Sequence, residues 1–144
     1  MRVAVVAGLR TPFAKQGTAY KHLSALELGS MVVRELLERT AIDGREVGLV
    51  VFGSAVPDLA APNIAREIVL SSGLPKNIEA FSVVRACATS FQTATSAAES
   101  ILAGQHDVAI VGGADSASTL PITVSKKLAS ALVDREGAEL WRCA

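Results

Sequence analysis

Hydrophobic residues occur in four short, nearly continuous runs along the chain. The runs occupy residues 2–7, 47–52, 80–85 and 107–111, and a glycine directly follows the first, second and fourth of them. Runs of this kind, without regular polar alternation, are typical of strands that are buried on both faces of a parallel sheet. The pattern therefore predicts four strands.

Apolar residues at helical spacing fill the intervals between these runs. From Leu23 to Leu37 they recur every three or four positions, and Ser24 with Glu27 three residues later forms the pattern of a capping box. The other helical segments are residues 63–70, an alanine-rich stretch from about residue 90 to residue 104, and a weaker one at residues 124–133. The sequence therefore alternates strands with helices.

This alternation predicts an α/β fold with a mostly parallel sheet and helices on both faces. No linker, low-complexity segment or internal repeat divides the chain. We therefore expect one domain over residues 1–133. Residues 134–144 show no convincing period and form an atypical tail.

The composition excludes several classes of protein. Half of the 144 residues are hydrophobic, and 14 basic side chains balance 14 acidic ones, so the formal net charge is zero. Disorder is excluded, and neither a nucleic acid nor an anionic membrane is implied as a partner. No apolar run approaches the length of about 20 residues that a membrane span needs, and no leader precedes the first run. We expect a soluble, cytoplasmic protein.

The two cysteines, Cys87 and Cys143, are far apart and show no CxxC spacing, and the chain has two histidines. This pattern predicts neither a metal site nor a disulfide framework, and it fits a reducing compartment.

Ligands of parallel sheets gather at the carboxyl ends of the strands. The junctions at residues 8–10 and 53–55 lack the spacing of nucleotide-binding glycine motifs. The glycines of residues 112–115 are most simply interpreted as a tight turn after a buried strand, with Asp115 as a single carboxylate.

Cys87 lies at or just before the first turn of a predicted helix. The free N–H groups and dipole there favour a thiolate, which attacks thioester and carbonyl carbons, and the same N–H groups can stabilise an oxyanion. The alternative is that Cys87 is a small buried hydrophobic residue, the commoner fate on spacing alone. Cys143 is interpreted as incidental.

The helix that follows Cys87 has few charges. Between Arg85 and Asp115 the charged side chains are Glu99 and Asp107, so we expect this helix to be central and dry.

A nucleophilic cysteine also needs a base, usually histidine. His22 lies in a predicted loop, and His106 precedes the fourth strand, at the amino edge of the sheet and opposite Cys87. Both are interpreted as surface residues, so the chain offers no convincing base.

Several segments resemble the thiolase family. Residues 83–92 (Val-Val-Arg-Ala-Cys-Ala-Thr-Ser-Phe-Gln) resemble the acylated-cysteine motif, and residues 8–13 resemble the amino-terminal signature. Residues 61–66 fall where family members carry their second helix, and residues 112–118 resemble the Gly-Gly-x-Glu/Asp-Ser-x-Ser stretch. The Arg-Ala-Cys-Ala-Thr-Ser-Phe-Gln form is similar to that of 3-ketoacyl-CoA thiolases from fatty acid β-oxidation complexes.

The resemblance implies the fold of the thiolases and the chemistry of an acyltransferase. Cys87 would take an acyl group from a 3-ketoacyl-CoA, release acetyl-CoA and pass the acyl group to a second coenzyme A, with its own N–H as one oxyanion donor. Coenzyme A thioesters would be substrates, with no separate cofactor. Another copy of the chain, or the α-subunit of a fatty acid oxidation complex, would be the protein partner.

The same resemblance implies that much of the site is missing. The Asn-Glu-Ala-Phe, Gly-His-Pro and late Cys-x-Gly motifs belong to the second half of thiolases, and a loop domain holds most of coenzyme A. The half-domain also lacks a strand that family members add later, so we expect an incomplete fold with an exposed sheet edge and helix face. We expect the chain to be inactive alone.

Residues 135–144 do not resemble the continuation of a thiolase, which leaves a truncation, a frameshifted end or a fragmentary gene model as explanations. Two other functions stay open: a non-catalytic module that associates with a thiolase subunit or with another copy, and a complete small cysteine hydrolase. The hydrolase needs a base within the chain.

Overall fold

A computed structural model describes residues 2–120 and 122–140, with the backbone alone for residues 134–140. The helices and strands of these ranges are, in chain order, α1 (Ala25–Thr40), β1 (Leu49–Gly53), α2 (Ile64–Ser71), β2 (Glu79–Val83), α3 (Thr89–Leu102), β3 (Ala109–Gly113) and α4 (Lys126–Leu140). Two 3₁₀ turns, Gly44–Glu46 and Ala86–Ala88, precede β1 and α3.

The three strands form a parallel sheet in the order β2-β1-β3. Val51 at the middle of β1 pairs with Phe81 on one side and with Val111 on the other. Each residue of β1 is buried, as expected for a central strand of a parallel sheet. All three carboxyl ends therefore lie at one edge of the sheet.

Alternate residues of β1 face opposite sides of the sheet, and helices cover both. Val50 and Phe52 belong to the larger buried cluster, which includes Ile68 of α2. Leu49 and Val51 belong to a smaller cluster with Ala97 of α3. The predicted α/β class, with a parallel sheet between helices, is confirmed.

The ends of α1 follow the local chemistry of the sequence. Ser24 is the N-cap, its Oγ accepts the Glu27 N–H at 3.2 Å, and Glu27 Oε2 accepts the Ser24 N–H at 2.7 Å. The predicted capping box is therefore confirmed. Ala41 ends the helix in the left-handed region with φ 52°.

The prediction of a strand at residues 2–7 is wrong. Residues 2–15 contain neither helix nor strand, and Val5 and Val6 are 94% and 95% exposed. A β-branched run becomes a strand only when a neighbouring strand accepts its backbone hydrogen bonds, and residues 2–7 pair with no strand of the described sheet, which consists of β2, β1 and β3. The sheet of the described residues therefore has three strands instead of four.

The expectation that α3 is central and shielded from solvent is also wrong. The buried residues of α3 are Thr89, Thr93 and Ala97, all on the face that packs on the sheet, whereas Phe91 on the outer side is 79% exposed. Few charges make a helix suitable for burial, but burial also needs a second covering element. The predicted exposed helix face and open sheet edges are confirmed.

The helix predicted at residues 124–133 is observed as α4, and its backbone continues to Leu140. The domain boundary at residue 133 stays a prediction, and Cys143 with the rest of residues 141–144 lies outside the described residues. Neither α4 nor another helix of the described ranges is long and apolar enough to cross a membrane.

Candidate active site

Cys87 lies at the carboxyl edge of the sheet, between the end of β2 and the start of α3. It occupies the middle of the 3₁₀ turn Ala86–Ala88, and its side chain is exposed. The predicted position of Cys87, just before the first turn of the helix, is confirmed, and the alternative of a buried cysteine is wrong. The thiol is open to approach from solvent.

The backbone around Cys87 forms a tight, strained turn. Ala86 has φ 46°, in the left-handed region that a residue with a Cβ atom rarely adopts. Backbone hydrogen bonds run from the Ala88 N–H to the Arg85 carbonyl oxygen at 3.0 Å and from the Thr89 N–H to the Ala86 carbonyl oxygen. Strain of this kind persists only where the surrounding structure enforces it.

The side chain of Arg85 points along α3. Its Nη1 donates to Gln92 Oε1 at 2.5 Å, and Gln92 Nε2 donates to Ser96 Oγ at 3.1 Å. These two hydrogen bonds run along the surface of α3.

Glycines at the ends of β1 and β3 let the start of α3 approach the sheet closely. A Cβ atom at Gly53 would lie 2.2 Å from the Val83 carbonyl oxygen, and one at Gly113 would lie 2.4 Å from Ser90 Oγ. Gly113 and its neighbour Gly112 belong to β3 and have no positive φ. The interpretation of these glycines as a tight turn is therefore wrong, because close packing explains them.

Asp115 joins the two junctions that follow β1 and β3. Its carboxylate accepts the N–H groups of Ala55 and Val56, each at 3.1 Å. Ser54 Oγ also donates to the Ala114 carbonyl oxygen at 2.7 Å. The carboxylate predicted at this edge, Asp115, therefore binds backbone N–H groups of the chain through both of its oxygens.

His106 lies before β3, at the amino edge of the sheet, and this predicted position is confirmed. Its Nδ1 forms a hydrogen bond of 2.7 Å with Ser100 Oγ, and its Nε2 lies 3.3 Å from Glu79 Oε2. The side chain is 14% exposed, so the interpretation as a surface residue is wrong. The five residues of β3 span about 17 Å, which separates His106 from the edge that carries Cys87.

His22 lies in an exposed turn before α1, as predicted for a surface residue. Neither His22 nor His106 therefore contacts Cys87 in the structure.

Two cavities open beside the sheet. One of about 500 Å³ lies between residues 7–14 and β3 and reaches Ser90, and one of about 420 Å³ lies beside Glu79 and His106. Cys87 lines neither of them, so these two cavities do not mark the reactive group. The chemistry of the candidate site depends on the exposed turn.

Sequence reasoning missed the role of two residues near Cys87. The sequence shows Thr89 only as part of the thiolase-like motif and Gly53 only as the glycine after a strand, whereas a Cβ atom at Gly53 would lie 2.4 Å from Thr89 Cγ2. A signal was available in the glycine that ends a buried strand, because such a glycine can mark close approach by another segment.

Comparison with known proteins identifies the family. The model of the family described as "Thiolase, N-terminal domain" matches residues 3–139. The chain is 59% identical to the 3-ketoacyl-CoA thiolase of Shewanella pealeana over 133 residues, which cover 92% of this chain and 30% of that protein. It is also 59% identical to the 3-ketoacyl-CoA thiolase of Shewanella oneidensis over 140 residues, which cover 97% of this chain and 32% of that protein.

Solved structures agree with the sequence comparison. The Acat5 thiolase of Ascaris suum, in complex with coenzyme A, matches with a TM-score of 0.77 and 26% identity over 82% of this chain and 31% of that one. The acetyl-CoA acetyltransferase of Bacillus anthracis matches with a TM-score of 0.78 and 28% identity over 83% of this chain and 30% of that one. The chain thus spans about a third of the length of these relatives. It belongs to the thiolase family, and it corresponds to the amino-terminal domain of that family.

Proposed function

We propose that the chain is the amino-terminal part of a 3-ketoacyl-CoA thiolase in which Cys87 is the acyl-accepting nucleophile. The observation that carries this proposal is the exposed thiol of Cys87 at the start of α3, in a chain 59% identical to 3-ketoacyl-CoA thiolases. Backbone N–H groups at a helix start favour a thiolate and can stabilise an oxyanion.

The proposed reaction transfers an acyl group in two steps. The Cys87 thiolate attacks the 3-keto carbon, the C2–C3 bond breaks, and C2 takes a proton as acetyl-CoA leaves. The thiolate of a second coenzyme A then attacks the acyl-cysteine, which releases the shortened acyl-CoA and regenerates the Cys87 thiolate. The Cys87 N–H is the proposed first donor to the oxyanion in both steps.

Each step also moves a proton, and we propose that groups beyond this chain perform that work. His106 lies at the other edge of the sheet, bonded to Ser100 and Glu79, and His22 lies in an exposed turn. The chain covers about a third of its relatives. We therefore expect no thiolysis by the chain alone, and at most one slow acylation of Cys87.

Acyl labelling tests the proposal. The folded chain is incubated with acetyl-CoA, and trypsin separates Cys87, in the peptide of residues 86–126, from Cys143. We expect a mass gain of one acetyl group on the Cys87 peptide, with loss of the label in Cys87→Ser and retention of it in Cys143→Ser. Equal labelling of both cysteines, or labelling that persists in urea, contradicts the proposal.

A second candidate function is association without catalysis. β2 is an edge strand that carries Phe81, and the side chains of Phe81, of Val84 just after β2 and of Phe91 in α3 are 37%, 60% and 79% exposed. With zero net charge, two copies of the chain do not repel each other over long range. We propose a second copy as the occupant of this surface.

Analytical ultracentrifugation tests this association. We expect a concentration-dependent dimer that Phe91→Ser weakens, while Phe13→Ser, a change at a residue that is 93% exposed on a different segment, leaves it intact. A monomer at all concentrations contradicts the association and leaves the role of Cys87 untouched.

The proposed place of action is the cytoplasm, and the proposed process is fatty acid β-oxidation. An exposed free thiol suits a reducing compartment, and the relatives named above include bacterial 3-ketoacyl-CoA thiolases. A fatty acid oxidation α-subunit is the corresponding proposed partner of the complete enzyme.

A further inference from the structure

The turn that carries Cys87 is held by one buried hydroxyl group. Thr89 Oγ1 accepts the N–H of Arg85 at 2.9 Å and donates to the carbonyl oxygen of Ala86 at 2.8 Å. The two bonds join the residues on the amino-terminal side of Cys87 to the first residue of α3, so they close the backbone around the cysteine. Thr89 itself is 4% exposed.

One of these bonds pairs the Arg85 N–H, and the other gives the carbonyl oxygen of the strained Ala86 a second donor. Ala86 adopts φ 46°, and its carbonyl oxygen receives both the Thr89 hydroxyl and the Thr89 N–H. A left-handed alanine is unfavourable by itself and is retained only where neighbouring contacts require it. The N-cap residue of α3, Ala88, contributes no side-chain hydrogen bond.

Thr89 also connects the turn to the sheet. Its Cγ2 atom lies against Gly53 at the end of β1, so closely that a Cβ atom at Gly53 would be 2.4 Å away. The hydroxyl thus faces the turn while the methyl group faces the central strand. A displacement of Thr89 would move the turn relative to the sheet.

We propose that Thr89 is a positioning residue for Cys87: its hydroxyl holds the 85–89 turn in the conformation that places the thiol at the start of α3. The proposal rests on the proposed role of Cys87 as the nucleophile. It assigns Thr89 no contact with substrate. Its effect on reactivity passes through the backbone of Ala86 and Cys87.

Thr89→Val tests the proposal, because valine keeps the shape of threonine and removes the hydroxyl. Thr93→Val is the matched control: Thr93 lies one turn beyond Thr89 on the same helix, is fully buried and donates from Oγ1 to the Ser90 carbonyl oxygen at 2.8 Å. The readout is the rate of alkylation of Cys87 by iodoacetamide at neutral pH, measured on the tryptic peptide of residues 86–126.

We expect Thr89→Val, which removes both hydrogen bonds of the hydroxyl, to lower the alkylation rate at least about fivefold. We expect Thr93→Val to react within about twofold of the unsubstituted chain. Thr89→Ser, which keeps the hydroxyl, restores the rate. Far-UV circular dichroism confirms that each variant is folded.

If Thr89→Val fails to fold, the pair Thr89→Ser and Thr89→Ala replaces it, since both lose the methyl contact and only serine keeps the hydroxyl. Equal rates in that pair overturn the proposal, as does a Thr89→Val rate equal to that of the unsubstituted chain, or an equal loss in Thr93→Val. If folded Cys87 reacts no faster than it does in urea, the proposed nucleophile and its positioning residue both fail. A fast Cys87 that is insensitive to Thr89 overturns the positioning role alone.

Discussion

Gly53 lies directly against Thr89, so closely that a Cβ atom at Gly53 would be 2.4 Å from Thr89 Cγ2. The same atom would be 2.2 Å from the Val83 carbonyl oxygen, which belongs to the backbone of β2. The central strand and the turn that carries Cys87 therefore meet without space for a methyl group.

We expect Gly53→Ala to lower the free energy of unfolding by at least about 1–3 kcal/mol, because β2 or the start of α3 must move. Urea unfolding followed by circular dichroism measures this change. Gly8→Ala is the control, since a Cβ atom at Gly8 has no neighbour within 4 Å. Equal unfolding midpoints for the two variants would contradict the packing described for Gly53.

The strain at Ala86 predicts a stabilising substitution. Glycine adopts the left-handed region without the steric cost of a Cβ atom, so Ala86→Gly is expected to raise the free energy of unfolding by about 1 kcal/mol. Ala41→Gly, at the left-handed end of α1, should behave in the same way. Ala88→Gly, at φ −96°, should destabilise the chain. Urea titrations of the three variants check this order, and a destabilised Ala86→Gly variant would show that the turn is unstrained.

The capping box of α1 predicts a specific dependence on pH. The backbone and side-chain hydrogen bonds from Ser24 hold the pKa of Glu27 below its ordinary value of 4.5. A lowered carboxyl pKa contributes stability that is complete above the unfolded-state value and is lost as the pH falls through the lower folded-state value. We expect the unfolding midpoint of the chain to show this loss and that of Glu27→Gln to lack it.

The matched control for this pH dependence is Glu38→Gln, on the same helix but away from the cap. Its midpoint should follow that of the unsubstituted chain through acid pH. Parallel curves for Glu27→Gln and the unsubstituted chain would exclude the capping contribution.

His106 is expected to support the fold without affecting Cys87. His106→Gln breaks the contacts with Ser100 and Glu79 and should lower the free energy of unfolding by about 1 kcal/mol. The alkylation rate of Cys87 should remain unchanged, as it should for His22→Gln. These two rates also test the small-hydrolase hypothesis, because a rate that falls in a folded His106 variant would identify His106 as the missing base.

Local chemistry explains which parts of the fold could be predicted. Ser24 and Glu27 set the start of α1 through contacts three residues apart, and the apolar runs at residues 47–52, 80–85 and 107–111 overlap the three observed strands. The run at residues 2–7 has the same composition, but a strand also needs a neighbour to accept its hydrogen bonds. Composition alone does not show whether that neighbour exists.

In the candidate site, too, the features set by neighbouring residues could be predicted and those set by distant residues could not. Cys87 was predicted from the strand–turn–helix pattern and from the thiolase-like motif around it. The contact of Thr89 with Gly53 joins residues that are distant in sequence, so a local pattern can mark Gly53 as a point of close approach but cannot identify Thr89 as its partner. The two hydrogen bonds of Thr89 are local, but they depend on the left-handed conformation of Ala86. The sequence does not predict this conformation, because alanine rarely adopts it.

The most direct test of the central claim is the rate at which Cys87 reacts with iodoacetamide at neutral pH, in the folded chain and in the same chain unfolded by urea. Alkylation is measured on the tryptic peptide of residues 86–126, which contains Cys87 but not Cys143. If the start of α3 activates the thiol, Cys87 of the folded chain reacts severalfold faster at neutral pH than Cys87 of the urea-unfolded chain. A folded Cys87 that reacts no faster than the unfolded one at neutral pH would contradict the account of this residue as an activated nucleophile.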